Sequence, residues 1–454
     1  MHTQKMVNGA LAVGIDIGTT TVSAVVYDLV KKETVEAISH PHDSYVSSGE
    51  RTEQSVSLML GAAESLLYRI LASYEGVVSI GLTGQMHGIV YVNGEGEPLS
   101  PLINWQDKRA DQILPDGKST CDTIFALTGV RVHAGYGLAT HYYNLRSGEV
   151  PEGAVAFCSI MDLLAMRICG FRQPLTHTSV AAGFGLFDVE RGAFMLDKLS
   201  LLGVEESFLP RVTGESTVVG TCRGIPVSVA IGDNQASFLG SVKENGETLL
   251  INVGTGSQVS AVGDYRETAR DTEVRPFIEG KYLICGSALC GGYAYSMVER
   301  FFRSYAEYAG AGDGPQYDTV NRLAAEAHAR GESMDVDVSF LGRRSDPTRR
   351  GAITGIGREN FTPGGLILGV LRGMCNELYE LYESFGETRG KIVASGGAVR
   401  KNELLLTLLA ERFGMEVSVY AAEEEAATGA ALFSALAAGK LAYTDGFSDH
   451  IRYL

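Results

Sequence analysis

Basic residues are in short supply in this 454-residue chain: 38 Lys and Arg stand against 54 Asp and Glu, a formal net charge of −16 at pH 7. That balance argues against a nucleic-acid groove or an anionic membrane surface as the main partner. An anionic ligand would need local backbone donors instead. Cysteine is sparse as well. The seven residues Cys121, Cys158, Cys169, Cys222, Cys285, Cys290 and Cys375 are an odd, scattered set with no CxxC spacing, so neither a disulfide framework nor a zinc site is indicated. No uninterrupted apolar run reaches the roughly 18 residues that a membrane span requires. The opening MHTQKMVNGA lacks the charged-then-apolar pattern of a leader. A cytoplasmic, soluble protein is the expectation. His40 and His42 in SHPHDS lack an HExxH helix or a nearby Cys and read as a loop. Tryptophan occurs once, at Trp105.

Apolar residues make up 45% and charged residues 20% of the chain, enough to bury a large core in two or more domains. The 55 glycines are spread as turn punctuation without a short period. LAVGIDIGTTTVSAVVYD, residues 11–28, reads as two β-branched strands joined by a tight Gly/Thr turn. LLINVGTGSQVSAVG, residues 249–263, repeats the device, down to a shared VSAV in the second strand. One repeat at about half the chain length suggests two similar domains facing each other, each offering one such turn. Between and after the hairpins the pattern is α/β. QSVSLMLGAAESLLYRILASYE has helical spacing, and VVSIGLTGQMHGIVYVNGEGEPL reads as strand, polar break, strand. IPVSVAIGDNQASFLGS runs from a buried strand into a helix start at Asp233. KIVASGGAVRKNELLLTLLAERFG is a strand, a Gly396-Gly397 turn and an amphipathic helix ending at Gly414, and EVSVYAAEEEAATGAALFSALAAG repeats the order. Ligands commonly sit at the carboxyl ends of such strands.

A Gly/Thr turn at a strand end suits a phosphate, because glycine admits close approach of backbone N–H groups and hydroxyls add donors without charge. Asp16 beside the first turn would repel a bare phosphate. It makes sense through Mg²⁺, held directly or via water, since that ion takes few carboxylates together with phosphate oxygens. The rival phosphate loop, DGKST at 116–120, fails because Gln112 stands where the P-loop motif needs Gly and no strand precedes it; it reads as a solvated turn. Asp233 has two readings. It could accept a proton from a substrate hydroxyl attacking phosphorus, or simply cap a helix. GQMHG, with Gln85, Met86 and His87, and INWQDKRAD, with Trp105, Asp107 and Arg109, carry groups suited to a polyol. Each also has a plainer reading: a turn histidine, and an ion pair between Asp107 and Arg109.

Taken together these motifs resemble the FGGY family of carbohydrate kinases, along essentially the whole chain. The resemblance implies two actin-like/ribonuclease-H-like domains, the fold shared by sugar kinases, Hsp70 and actin ATPases, with a nucleotide cleft between them. They would comprise residues 1–240 and 241–454. It makes ATP and Mg²⁺ the implied cofactors and a sugar the implied substrate, with no nucleic-acid or membrane partner and a homodimer left open. GIDIGTT resembles the first phosphate motif (Asp16, Gly18, Thr19, Thr20), and NVGTGSQ the second (Gly254, Thr255, Gly256). SALCGGYAYSMVERFF would bring Gly292 near the nucleotide, and ASGGAVRKN resembles the adenosine motif through Gly396, Gly397 and Asn402. GDNQAS resembles the catalytic motif, implying Asp233 as general base and a second candidate Mg²⁺ contact, with Asn234 beside the sugar. Within the family, GQMHG is similar to the branches acting on xylulose and sedoheptulose. The WQDxR pattern of Trp105, Asp107 and Arg109 looks most like the sedoheptulose branch, and Tyr136 falls where a substrate-contacting Tyr occurs in the glycerol branch. The second turn GTGS follows the general family form and departs from the more Ser/Thr-rich turn of animal sedoheptulose kinases. The implied reaction is transfer of the γ-phosphoryl of ATP to a primary hydroxyl of a ketose, in the pentose phosphate pathway: sedoheptulose first, giving its 7-phosphate, then xylulose or another polyol. A nucleotide-gated sugar sensor without turnover is the reading from another class.

Overall fold

The structure is a computed structural model that describes residues 9–115, 117–267, 271–332, 334–346, 348–444 and 446–454. Residues 1–8, which were read above for a leader, and Asp116 of DGKST lie outside the described residues. The chain divides into two compact units. The first takes the residues up to Lys243 together with Arg275–Tyr282 and Ala422–Ile451; the second takes Glu244–Val274, Leu283–Ala421 and the last three residues.

In the first unit, strand β1 (Leu11–Ile17) pairs antiparallel with β2 (Thr21–Asp28), and β2 pairs antiparallel with β3 (Glu33–Pro41). Six of the seven β1 residues are buried, so its sequence runs apolar without alternation, as a central strand covered on both faces should. Helix α1 (Val56–Ser73) starts where the Ser55 side chain accepts from the Leu58 N–H. It is the one described helix long and apolar enough to suit a membrane span, and here its Met59, Leu60, Ala63, Leu66, Leu67 and Ile70 face packs into the unit's core. Strand β4 (Val77–Gly84) then lies parallel to β1. Strands β5 (Val218–Cys222) and β6 (Ile225–Ser228) complete the order β5-β6-β4-β1-β2-β3, and the short β7 (Ile231–Gly232) extends pairing along β4 and leads into helix α2 (Asp233–Ser241).

The second unit repeats this plan. Strand β8 (Thr248–Val253) pairs antiparallel with β9 (Ser257–Gly263), followed by β10 (Thr272–Pro276), β11 (Tyr282–Ala288), helix α3 (Gly292–Tyr308), α4 (Tyr317–Ala329) and α5 (Pro363–Glu383). Strand β12 (Lys391–Ser395) lies parallel to β8, as β4 does to β1. The single helix expected after Gly397 is two, α6 (Gly397–Lys401) and α7 (Glu403–Phe413), because Asn402 breaks the run by capping the second. Strand β13 (Glu416–Val419) gives the sheet order β10-β11-β9-β8-β12-β13.

Helix α8 (Glu425–Ala437) lies within the stretch 241–454 expected as the second domain, yet it packs with the first unit. The reason is backbone-to-backbone packing that only glycine permits. A Cβ on Gly14 of β1 would stand 1.8 Å from the Ala427 carbonyl oxygen, and one on Gly429 would stand 1.8 Å from that of Ala236 in α2. Gly81 and Gly240 make the same kind of approach to Ala430 and Glu425. The segment beyond is tied down by the Tyr27 hydroxyl, which donates to the His450 carbonyl at 2.7 Å.

Candidate active site

The first Gly/Thr turn joins β1 to β2, closed by a 2.9 Å bond from the Gly18 N–H to the Thr21 carbonyl. Its carbonyls are occupied from the protein side. His42 Nε2 lies 3.2 Å from the Gly18 oxygen, Gln54 Nε2 donates to Thr19 O at 2.8 Å, and the His42 N–H donates to Thr20 O at 2.9 Å. Gln85 in turn donates to Gln54 Oε1 at 3.0 Å, which ties Gln85 to this brace. With its acceptors filled, the turn has donors left to offer: the Thr19 and Thr20 N–H groups make no backbone hydrogen bond among the described residues. SHPHDS is therefore more than the expected loop, since β3 runs to Pro41 and His42 props the turn.

Asp16 stands two residues before this turn, beside Thr83 of β4 in the parallel register. Burial first, then the nearby carboxylates of Asp233 and Glu424, push its carboxyl up to about 7. Asp233 is the first residue of α2, with Gly232 in the cap position, so the structure does not bear out the capping alternative. Its Oδ1 accepts from the Asn234 N–H at 2.7 Å. Burial raises the Asp233 carboxyl above the ordinary range, and Arg275 opposes that rise. Neither Glu424 nor Arg275 was legible as a site residue. Glu424 precedes α8 in the left-handed region, at φ +63°, and both residues reach this unit only because segments 275–282 and 422–451 return to it. Among the described residues no group of three or more His, Cys, Asp or Glu is arranged to hold a metal. A carboxyl raised by burial, and further by neighbouring carboxylates, suits Mg²⁺ that takes most of its oxygens from phosphate and water.

The residues expected around a sugar divide into two sets. Met86 is buried against Gly232, where an added Cβ would meet its sulfur at 2.6 Å. His87 adopts φ +74°, places Nδ1 2.7 Å from the Gly183 carbonyl, and stacks on Tyr136 at 4.7 Å between ring centroids. The Nδ1 contact puts the imidazole proton on that nitrogen. Trp105 is half-exposed, with its indole N–H donating to Thr19 Oγ1 at 3.1 Å. Asp107 and Arg109 form the other set and are only 1% and 2% exposed. Asp107 accepts from Arg109 Nε at 2.8 Å and from the Thr52 N–H at 2.8 Å, while Arg109 reaches Glu53 at 2.6 Å and Asn144 at 3.0 Å. Their polar atoms are engaged inside the fold, where they hold the strand that carries Gln54.

In the second unit the turn Gly254–Gly256 joins β8 to β9, and the carbonyls of Gly254 and Thr255 are occupied. The Gly292 N–H donates to Gly254 O at 2.8 Å, and the Gly291 and Tyr293 N–H groups donate to Thr255 O at 3.1 and 3.0 Å. Gly396 sits at φ +94°, where a Cβ would stand 2.6 Å from the Val253 carbonyl. Beside this turn opens a cavity of about 650 Å³ lined by Gly254, Gly292, Tyr295, Tyr317, Gly397 and Asn402 among others, within the range of a small-molecule site. Gly256 and Gly396 lie beside it without forming its wall. DGKST contributes no phosphate loop: Ser119 caps the helix Thr120–Thr128 instead.

Two units on one sheet plan, each with a Gly/Thr hairpin turn at the end of its central strand, are the architecture of the sugar-kinase fold. The chain belongs to the FGGY family of carbohydrate kinases: residues 11–240 match the family's N-terminal domain and residues 249–438 its C-terminal domain. Mouse sedoheptulokinase is 25% identical over 476 aligned residues, covering 94% of this chain and 98% of that protein. A Staphylococcus xylosus xylulose kinase is 24% identical, covering 94% and 91%. Gluconate kinase from Lactobacillus acidophilus superposes with a TM-score of 0.85 at 19% identity, over 98% of this chain and 92% of that one. The protein is an ATP-dependent carbohydrate kinase, a phosphotransferase with an alcohol acceptor.

Proposed function

We propose that the acceptor is a ketose, sedoheptulose before xylulose, phosphorylated at a primary hydroxyl. The observation that carries the reading is the meeting of Asp16, Asp233 and Glu424 in one unit that also holds the Gly18–Thr20 turn and the stacked His87–Tyr136 pair. The match to mouse sedoheptulokinase over nearly its full length supports sedoheptulose, and the similar match to a xylulose kinase keeps xylulose as the second reading.

Asp233 acts as the base: it accepts the hydroxyl proton as the substrate oxygen bonds to the γ-phosphorus and the bond to ADP breaks. A carboxylate whose proton affinity is raised by burial accepts a proton more readily. The open Thr19 and Thr20 N–H donors bind phosphate oxygens, Trp105 and Tyr136 offer aromatic faces to sugar C–H groups, and Gln85, His87 and Asn234 offer polar groups to its hydroxyls. Mg²⁺, held by Asp16 directly or through water and with Asp233 as a second contact, supplies charge neutralisation when bound.

The test is ADP release with Mg-ATP across sedoheptulose, xylulose, ribulose, fructose, gluconate and glycerol, with Asp233→Ala as control. Highest kcat/KM on sedoheptulose and at least a 10³-fold loss in the variant are expected. Preference for xylulose would move the specificity and keep the mechanism. Wild-type turnover by Asp233→Ala would remove the base, and nucleotide binding without turnover on any sugar would favour the sensor reading.

A further inference from the structure

The resemblance names Asn402 for the adenosine pocket, yet its side chain is occupied elsewhere. Asn402 is buried, and its Oδ1 caps α7 by accepting the Leu405 N–H at 3.2 Å. The cap fixes which way the amide points, because a carbonyl oxygen and not an NH₂ group must face that N–H. Its Nδ2 consequently donates to Asn321 Oδ1, 3.2 Å away. The Tyr295 hydroxyl donates to that same oxygen. Asn321 therefore has its acceptor end filled by two donors, so its orientation is set too. Its Nδ2 donates to no protein group among the described residues, although the residue lines the cavity. Beside it the Tyr295 and Tyr317 rings, 6.1 Å apart and inclined at 37°, form an aromatic wall suited to a planar ring.

We infer that Asn321 reads the nucleobase, donating from Nδ2 to a ring-nitrogen acceptor of a purine, and that Asn402 and Tyr295 are positioning residues that hold its amide in that sense. The inference rests on the reading of this cavity as the ATP base site. It reassigns the recognition role from the residue marked by the motif to one on α4 that no motif marks.

The test compares mant-ATP binding and ATP kinetics in the wild type, Asn321→Ala, Asn321→Asp and Asn402→Asp, with 1-deaza-, 3-deaza- and 7-deaza-ATP as probes. Asn402→Asp keeps a good cap but loses the donor to Asn321, so its thermal midpoint should stay near that of the wild type while KM for ATP rises severalfold. Asn321→Asp puts a carboxylate oxygen where the donor was, and a rise in KM of about tenfold or more is expected, with a smaller change in kcat. One deaza analogue should bind the wild type about tenfold more weakly than ATP, and the difference should vanish in Asn321→Ala. Unchanged KM in Asn321→Asp, or a deaza penalty equal in wild type and Asn321→Ala, would overturn the inference. Absence of mant-ATP binding by the wild type would instead sink the assignment of the cavity to ATP.

Discussion

The two hairpin turns are built on one plan and differ most in charge. Two residues before each turn glycine stands a polar residue facing a hydroxyl across the parallel strand: Asp16 beside Thr83 in the first unit, Asn252 beside Ser395 in the second. The residue after that hydroxyl is a glycine pressed against the end of the central strand. A Cβ on Gly84 would stand 2.5 Å from the Ile17 carbonyl, and one on Gly396 would stand 2.6 Å from that of Val253. Geometry is shared while charge is not. Asn252 donates to Ser395 Oγ at 2.9 Å and is neutral; Asp16 keeps company with Asp233 and Glu424. In this scheme only the first turn gathers the carboxylates that a metal ion and a proton transfer need.

Exchanging the polar residues is the sharpest way to break the comparison. Asp16→Asn should lower kcat about 10³-fold, or ~4 kcal/mol in the barrier, by ADP release under saturating substrates. Asn252→Asp should cost far less in kcat and raise KM for ATP about tenfold, since it sets a negative charge near bound phosphates. Equal losses in kcat would mean that the turns are chemically equivalent.

Stability against pH separates the two next. The Asp16 carboxyl sits near 7 in the folded chain against 3.8 in the unfolded one, so the folded state holds its proton more tightly. Its contribution is fully present below about pH 4 and is lost as pH rises through about 7, amounting to about 4 kcal/mol at most. Urea unfolding of the wild type relative to Asp16→Asn should show that loss between pH 4 and 8. Asn252→Ala should show none of it. The glycines come third: Gly396→Ala should destabilise by about 3 kcal/mol and Gly84→Ala by less, because only Gly396 adds a positive φ to the carbonyl clash. The smallest effect is optical. The sole Trp is hydrogen-bonded to Thr19, so sugar should change the intrinsic fluorescence, and Thr19→Val should alter the resting emission at a cost of about 1 kcal/mol. A fluorescence response to sugar that survives Trp105→Phe would refute the assignment.

Local chemistry explains what could be read from the chain alone. Both turns, the strand-to-helix step at Asp233 and the Gly396-Gly397 bend are written in a few consecutive residues, because turn and cap preferences act over that range. The end of helix α6 at Lys401 is hidden even so, since KNELLL continues a helical pattern and masks the cap at Asn402. What lay beyond reading depends on distant segments. Glu424 and Arg275 join Asp233 only through the return of their segments to the first unit. Asp107 and Arg109 look like surface polar residues until Thr52, Glu53 and Asn144 close around them. Asn321 sits in a polar helix with nothing around it to mark a site. Its role emerges only from the bonds to Tyr295 and Asn402.

The return of helix α8 to the first unit has a consequence for how the chain is made. Synthesis runs from the N-terminus, yet the trough along Gly14 and Gly81 is not filled until residues 425–437 have left the ribosome. The second unit, lacking only a three-residue tail beyond Ala421, has its whole sheet available earlier. The half of the molecule translated first is thus completed last, and a chain stopped after Ala421 would release a first unit with one face of its central strands uncovered.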